Sequence, residues 1–159
     1  TLSLHDALPI FPQGVILNRD LGNILPVDHR AEAEIQELVN NSWYNYTDGD
    51  DKGKHPWVGQ TNINYTGPKP PYEHLDVNDK YSFVKTPRWK GKPMEVGPLA
   101  RVLVAYARGV PEIQAVVDAT LKQLNIPVTA LFSTLGRTAA RGLETIAVAD
   151  WSLEFYNQL

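Results

Sequence analysis

Residues 42–97 constrain the fold more than any other stretch, because they combine many prolines with many large aromatic side chains. Seven prolines lie within this stretch or directly beside it, together with nine Trp, Tyr and Phe residues. Proline interrupts helices and the inner strands of sheets. A disordered linker would be rich in proline but poor in aromatic residues. We therefore expect an ordered, irregular segment whose rings hold it against a larger body.

The last third of the chain shows helical periodicity. Prolines open two predicted helices, 98–108 and 111–125, and the same apolar spacing predicts a third helix over 130–159. Small residues alternate with leucines around the third helix, so we expect it to be buried on most sides. A helix of this length is longer than a domain of 159 residues needs.

Two shorter elements are predicted before residue 42. β-prone residues on either side of a turn-rich segment predict a hairpin over 14–28, and an Asp cap followed by glutamates predicts a short helix over 29–41. An isolated hairpin is marginal in water, so it must pack on another part of the protein. The expected fold class is mainly α: a helical scaffold with an N-terminal β-hairpin and a long aromatic- and proline-rich irregular segment, within a larger subunit dominated by helices.

The composition is that of an ordinary globular domain. The chain is 43% hydrophobic and 21% charged, with a formal net charge of -3, which argues against wholesale disorder and against a generally basic nucleic-acid binder. No apolar run approaches the length of about 18 residues typical of a membrane-spanning helix. Cysteine is absent, which excludes disulfides, thiolate nucleophiles and Cys-ligated metals in this chain.

The first ten residues read TLSLHDALPI, which is also the translation of one frame of a common short-read sequencing adapter. We therefore interpret residues 1–10 as a non-native scar and leave them out of the fold prediction; a natural amphipathic start is the alternative. The only methionine is Met94, and the helical rhythm continues to the last residue. Both observations favour an internal piece of a longer protein.

The strongest cluster of chemistry-bearing residues is the basic segment 85–92, which contains four cations around Trp89. One interpretation is a contact with phosphate or nucleic acid, in which Trp89 stacks on a base. The other is a rigid loop whose cations pair with acidic residues of a partner or of the same protein. The net acidity of the chain favours the second interpretation.

Weaker candidates occur elsewhere. The carboxylates and imidazole of residues 73–79 are metal-ligand types without a recognised ligand spacing, and His55 is interpreted as a packed loop residue rather than a base. Helical spacing places Arg137, Arg141 and Glu144 on one face of the third helix. These residues form either an ion-pair network or a solvated stripe, and the sequence favours neither interpretation. Asp150 is the carboxylate whose pKa burial would shift most. No complete active-site motif is present.

Two long phrases closely resemble the large subunit of nickel–iron hydrogenases: YSFVKTPRWKGKPMEVGPLAR at 81–101 and LFSTLGRTAAR at 131–141. GVILNRDL at 14–21 and HPW at 55–57 match in the same order, and GPKPPY at 67–72 is most similar to the membrane-bound uptake branch. The resemblance covers essentially everything from residue 11 onwards and identifies 11–159 as a central part of such a subunit.

The resemblance implies a parent enzyme that oxidises dihydrogen to protons and electrons, reversibly, at a nickel–iron centre held by cysteine pairs near the two ends of the subunit. It also implies an iron–sulfur small subunit as partner and, in the uptake branch, a periplasmic, membrane-associated complex with a cytochrome b. Because this chain has no cysteine, no catalytic, cofactor-binding or metal-ligating residue can be assigned within it, and the isolated chain is expected to be inactive.

The sequence therefore supports two hypotheses. The first is a fragment of a hydrogenase large subunit, with a predicted contact to the small subunit through Lys85, Arg88, Trp89, Lys90, Arg101 and Arg137. The second is a non-catalytic binding module that uses segment 85–92 for an acidic partner or nucleic acid.

Overall fold

The computed structural model describes residues 11–69 and 73–158, so segment 1–10 lies outside the described residues. The described chain forms two compact units: a helical unit, made of residues 11–27 and 96–158, and a strand unit, made of residues 28–95. Together these residues contain three α-helices, one short 3-10 helix and seven short strands. The described fold is therefore mixed α and β and not clearly mainly α, because short stretches of residues 28–69 and 73–95 pair as strands. The helical scaffold and the N-terminal hairpin of the prediction are both present.

Three helices build the helical unit: α1 Pro98–Ala107, α2 Pro111–Leu124 and α3 Thr134–Asn157. Proline opens α1 and α2, where its missing N–H would have had no helical partner. Helix α2 ends at Asn125, whose left-handed backbone (φ 54°) returns its N–H to carbonyls of the last turn. These two helices lie where the sequence predicts them, to within a residue.

The third helix begins later than predicted. Val128–Leu131 forms a 3-10 helix, and α3 starts only at Thr134, because the Ser133 hydroxyl accepts a hydrogen bond from the Gly136 N–H at 3.0 Å and caps the helix. Gly136 allows this close turn, since a Cβ at that position would lie 2.0 Å from the carbonyl oxygen of Leu131.

Aliphatic side chains fill the core of the helical unit. Leu103 of α1 and Ile113 and Val117 of α2 are almost completely buried, and Ala140 and Leu143 of α3 pack against them. Burial of such side chains stabilises a fold by about 1.5–3 kcal/mol each. The core is apolar throughout.

The predicted hairpin is present in the same unit. Strands β1 Val15–Ile16 and β2 Ile24–Leu25 pair antiparallel, with Val15 opposite Leu25, and the turn between them places Asn18 and Arg19 at positive φ. The hairpin packs on the helices, as a short hairpin must, because Ile16 and Leu21 contact the core.

The strand unit contains two small antiparallel sheets. Strands β3 Ile35–Leu38, β6 Thr86–Trp89 and β7 Lys92–Pro93 form one sheet in the order β3-β6-β7. Strands β4 Tyr44–Tyr46 and β5 Thr61–Ile63 form the other. The described part of segment 42–97 is therefore ordered, as expected from its aromatic content, but it forms short strands and is not simply irregular.

The predicted helix over 29–41 is wrong, because its residues form turns and then β3. Ile35 lies opposite Trp89, and Leu38 lies opposite Thr86, in a register that spans the whole strand. A short helix with a narrow apolar face is marginal by itself. Pairing with β6 and the backbone bonds between Glu37 and Lys54 outweigh the local preference for helix.

Aromatic rings pack together in the strand unit. The Trp43 ring lies 4.8 Å from both the Tyr65 and the Phe83 rings, measured between centroids, in edge-to-face arrangements. The Trp43 indole N–H also donates to the Lys80 carbonyl at 2.8 Å. Each such aromatic pair adds about 0.5–1.5 kcal/mol to the stability of a fold, in addition to the contribution from the apolar area that it buries. Aromatic side chains of the segment therefore pack on one another, and their packing against a larger body stays a prediction.

Candidate functional site

The basic segment 85–92 forms the β6–β7 hairpin. Lys90 and Gly91 make its two-residue turn with φ values of 49° and 74°, the backbone of a tight hairpin turn. Glycine accepts this conformation readily, and Lys90 accepts it with its N–H donated to the Glu34 carbonyl at 2.7 Å. The cations of the segment are thus set on a short, defined hairpin.

Two of the four cations pair with acidic residues at the start of the same sheet. Lys85 Nζ lies 3.4 Å from Glu37 Oε2, and Lys90 Nζ lies 3.0 Å from Glu34 Oε1. Both pairs are half-buried, so solvent screens them only in part. Of the two interpretations of this segment, the geometry favours the one in which cations pair with acidic residues of the same protein.

Trp89 does not face solvent. Only 8% of its surface is exposed, and the Lys90 ammonium lies 5.0 Å from the centre of its ring. Its indole N–H is buried without a hydrogen-bond partner among the described residues. Arg88, beside it, donates from Nη1 to the Pro87 carbonyl at 3.0 Å. A buried indole cannot stack on a nucleic-acid base. The hypothesis of nucleic-acid binding by segment 85–92 therefore lacks an accessible aromatic side chain for stacking.

The other two predicted interface residues lie in the helical unit. Arg101 of α1 binds Glu144 of α3 in a bidentate pair, through Nε to Oε1 and through Nη2 to Oε2 at 3.0 Å. The hydrogen bonds that Arg101 donates to the Glu144 carboxylate raise the pKa of Arg101. Arg137 lies exposed on α3. The six predicted interface residues are therefore divided between the two units.

Helical spacing associates Glu144 with Arg137 and Arg141, but its carboxylate forms an ion pair with Arg101. It pairs across to α1, whereas Arg141 is exposed on α3. Asp150 is also exposed. Of the two alternatives for this helix face, an ion pair does form, but with a partner on another helix.

His55 is a structural residue, as its sequence context predicts. The ring is buried (3% exposed), Nε2 lies 2.9 Å from the His29 carbonyl and Nδ1 accepts from the Trp57 N–H at 3.1 Å. The ring therefore carries its proton on Nε2 and acts as a donor and an acceptor within one loop. Both nitrogens are used, which leaves neither for catalysis.

The carboxylates of segment 73–79 accept hydrogen bonds from nearby residues. Glu73 accepts from the Lys69 N–H at 2.9 Å, Asp76 from the Asn78 N–H at 2.9 Å, and Asp79 from the Thr66 hydroxyl at 3.0 Å. Over residues 11–69 and 73–158, no three His, Asp or Glu side chains are grouped to hold a metal ion. The residues present do not fit a metal centre.

One site that the sequence gives no sign of is the buried ammonium of Lys80. Its Nζ donates to the carbonyls of Val39 and Tyr44, at 3.3 and 2.6 Å, to Asn45 Oδ1 at 2.9 Å and to Asp50 Oδ2 at 3.3 Å. Only 13% of the side chain is exposed. These partners lie 30 to 41 residues away in sequence, so no local pattern could have revealed the network.

Among the described helices, none is both long enough and apolar enough to cross a membrane.

Comparison with known proteins gives one consistent family. The sequence model for nickel-dependent hydrogenases matches residues 3–159. The chain is 52% identical to the uptake hydrogenase large subunit of Bradyrhizobium diazoefficiens over 141 residues, covering 85% of this chain and 24% of the relative. It is 51% identical to that of Rhizobium leguminosarum bv. viciae over 154 residues, covering 93% and 26%.

A solved structure agrees with the sequence matches. The NiFeSe-hydrogenase of Dm. baculatum superposes with a TM-score of 0.50 at 30% identity, over 86% of this chain and 26% of that one. The chain therefore spans about a quarter of the length of the relatives it matches.

Proposed function

This chain belongs to the nickel-dependent hydrogenase family, and from that membership we propose that it is an internal part of a hydrogenase large subunit whose complete form oxidises dihydrogen to protons and electrons. The observation that carries the proposal is the high identity to uptake hydrogenase large subunits, sustained over nearly the whole chain. The nickel–iron centre belongs to the complete subunit. No step of the reaction is assigned to residues of this chain, since it has no cysteine and no grouped ligands among its described residues.

The role we propose for these residues is to form part of the scaffold. The apolar core of the helical unit and the hydrogen-bonded strand unit supply rigid surfaces against which metal-bearing segments can be held. This role requires defined packing, not reactive side chains.

We further propose an iron–sulfur small subunit as the partner, contacted in part by Lys85, Arg88, Lys90, Arg101 and Arg137. Trp89, which is 8% exposed, lies in the hairpin that carries Lys90 and does not itself reach a partner. Pairing with Glu34, Glu37 and Glu144 lowers the net charge that some of these residues offer to a partner. Lys90 is the most informative probe, because its side chain is half-exposed at a hairpin turn. Lys90→Glu should weaken small-subunit binding, whereas Lys122→Glu, at an exposed position of α2, should not.

The identity to uptake hydrogenases supports the finer proposal that the complete enzyme works in uptake, is membrane-associated at the periplasmic face, and passes electrons to a membrane cytochrome b. Cell fractionation of the complete complex tests the location. Recovery of the folded complex in the cytoplasmic fraction alone would contradict it.

The proposed activity is tested with the complete large subunit, produced together with its small subunit and maturation factors. We expect bound nickel and dihydrogen-dependent reduction of an artificial electron acceptor. The isolated 159-residue chain is the control and should retain no nickel after gel filtration, because it lacks thiolate ligands. A complete subunit that incorporates nickel yet shows no dihydrogen chemistry would refute the proposal.

A further inference from the structure

The step from Asp48 to Gly49 differs from every other aspartate position of the chain. It is the only Asp–Gly pair in the sequence, and the sequence contains no Asn–Gly pair. Glycine has no Cβ, so its backbone nitrogen is unshielded and its backbone angles range widely. Such a nitrogen can reach the side-chain carboxyl carbon of the residue before it. Asp48 is therefore the aspartate best placed in the sequence to react with its own backbone.

The structure places this pair in an exposed turn of the strand unit, just after β4. Thr47, Asp48 and Gly49 are all exposed, and the Asp48 side chain retains 74% of its accessible surface. Gly49 has a φ of 107°, in the region that favours glycine. Its N–H donates to the Tyr46 carbonyl at 3.3 Å, which is long and therefore weak for a bond of this kind. The backbone nitrogen of Gly49 is thus accessible and loosely held.

The two neighbouring carboxylates of this turn are held to different degrees. Asp48 pairs with the Lys54 ammonium, and an exposed ion pair restrains a side chain only weakly. Asp50 is fixed from two sides, because Oδ1 accepts from the Tyr46 N–H at 2.6 Å and Oδ2 accepts from Lys80 Nζ at 3.3 Å. The less restrained carboxylate is the one that precedes glycine.

We propose that Asp48–Gly49 is a site of spontaneous aspartate isomerisation. The Gly49 nitrogen bonds to Asp48 Cγ, the bond from Cγ to the carboxyl hydroxyl breaks, and that hydroxyl leaves as water with the proton of the Gly49 N–H. Water then adds to the cyclic imide. Opening at the main-chain carbonyl carbon leaves isoaspartate, in which the chain continues through Cγ, whereas opening at Cγ restores aspartate. The reaction needs no cofactor, oxidant or reductant.

The modification reaches the buried ammonium of Lys80. Isoaspartate at position 48 inserts one methylene into the backbone between Tyr46 and Asp50, which are joined by the hydrogen bond from the Tyr46 N–H. Displacement of Asp50 takes away the carboxylate that pairs with Lys80. A buried ammonium that loses its counter-charge destabilises the fold around it. The inference goes beyond the proposed function and does not depend on it, since it concerns the chemistry of this turn alone.

Incubation of the folded 159-residue chain at mildly acidic pH tests the site, because a neutral carboxyl group loses its hydroxyl more readily than a carboxylate. Isoaspartate is measured by methyl transfer from S-adenosylmethionine with an isoaspartyl methyltransferase, and it is located by electron-transfer fragmentation of the tryptic peptide 31–52. Position 48 should isomerise about tenfold faster or more than Asp118, which precedes Ala119 in α2. A rate at position 48 no higher than that at Asp118 would overturn the proposal.

The same chain unfolded in urea shows whether the turn is as open as the structure indicates. The rate at position 48 in the folded chain should lie within about threefold of the rate in the unfolded chain, because exposed turns open at almost no cost. At Asp118 the helix should make the folded chain much the slower of the two. Isomerisation of Asp48 only in the unfolded chain would contradict the proposed site.

Asp48→Glu is the matched control for the effect on Lys80. Glutamate keeps the charge that pairs with Lys54, but it must close a larger ring, so its imide forms far more slowly. Urea unfolding is followed by tryptophan fluorescence in a Trp151→Phe background, in which the remaining tryptophans all lie in the strand unit. After equal incubation the transition should move to lower urea in the parent chain and stay in place in Asp48→Glu. Isomerisation without such a shift, or an equal shift in both chains, would overturn the link to Lys80.

Discussion

The two units of the chain are stabilised by different means. In the helical unit the most buried side chains are aliphatic, such as Leu103, Ile113 and Val117. In the strand unit Ser42 is fully buried, His55 nearly so, and Lys80 places its ammonium among four oxygen acceptors. Sheets of two or three short strands bury little apolar surface, so satisfied polar groups specify the strand unit.

This difference predicts different sensitivities to mutation. A loss of volume damages an aliphatic core in proportion to the cavity left behind. A buried polar network is damaged when one member is removed, because its partners are then left without hydrogen bonds. Spectroscopy can separate the units, because all described α-helix lies in the helical unit and three of the four tryptophans, Trp43, Trp57 and Trp89, lie in the strand unit. The fourth, Trp151, lies in α3, so the fluorescence experiments use a Trp151→Phe background.

The largest effect is expected from Ile113→Ala in the helical unit. Ile113 is completely buried between α2 and the rest of the core, so its truncation should lower the free energy of unfolding by about 2–5 kcal/mol. Urea unfolding followed by far-ultraviolet circular dichroism measures the loss. Leu135→Ala is the control and should change stability by less than about 0.5 kcal/mol, because Leu135 is 83% exposed. Equal losses for the two variants would mean that this core does not stabilise the helices.

The next effect is expected from Lys80→Met in the strand unit. Methionine keeps most of the volume but removes the ammonium that donates to Asp50 and to the carbonyls of Val39 and Tyr44, which should cost about 2–3 kcal/mol. The loss should appear in tryptophan fluorescence at lower urea than in circular dichroism. Lys52→Met, at an exposed position, should leave the fluorescence transition in place. A gain in stability for Lys80→Met would show that apolar packing governs both units.

The same contrast explains what the sequence could predict. Helices α1 and α2 have apolar stripes of local origin and opening prolines, so their bounds can be read directly from the chain. The bounds of strand β3 cannot be read from the local sequence, because its register is set by pairing with β6, about fifty residues later. The apolar residues of β3 fall at spacings that also fit a helix, and only the distant strand decides between the two.

Prediction of the candidate site was limited in the same way. The sequence identifies 85–92 as a basic cluster, but Glu34 and Glu37 pair with it through the β3–β6 register. Likewise, the spacing links Glu144 to Arg141, whereas the packing of α1 on α3 gives it to Arg101. The sequence pattern locates the charged residues, but only the tertiary contacts determine which residues form ion pairs.

Tyr46→Phe tests the comparison of the two units through the pH dependence of the stability of the strand unit. Burial raises the pKa of Tyr46, whose hydroxyl donates to the Glu37 carbonyl at 2.7 Å. The phenol therefore stays protonated in the fold to a higher pH than in the unfolded chain. Its contribution is complete below about pH 10 and is lost as the pH rises through the raised pKa. Removing the hydroxyl should cost about 1 kcal/mol at neutral pH.

The control for Tyr46→Phe lies in the other unit. A hydrogen bond to Asp118 at 2.8 Å raises the pKa of Tyr106. Alkaline unfolding followed by fluorescence should become less steep in Tyr46→Phe, whereas Tyr106→Phe should alter only the circular dichroism transition. If both substitutions changed the two signals equally, the units would unfold as one.

The smallest effect is expected from the Arg101–Glu144 pair, the one bidentate ion pair described in the helical unit. Arg101 is 46% exposed, so solvent screening should reduce the coupling to about 0.5–1 kcal/mol. The pKa of Arg101 is raised by Glu144, so Arg101 keeps its charge and the coupling is limited by salt rather than by arginine deprotonation. A double-mutant cycle of Arg101→Met and Glu144→Gln, repeated at low and high salt, measures it. A coupling above about 2 kcal/mol that survives high salt would mean that an ion pair, not aliphatic burial, holds α1 to α3. The helical unit would then resemble the strand unit, and the contrast between them would fail.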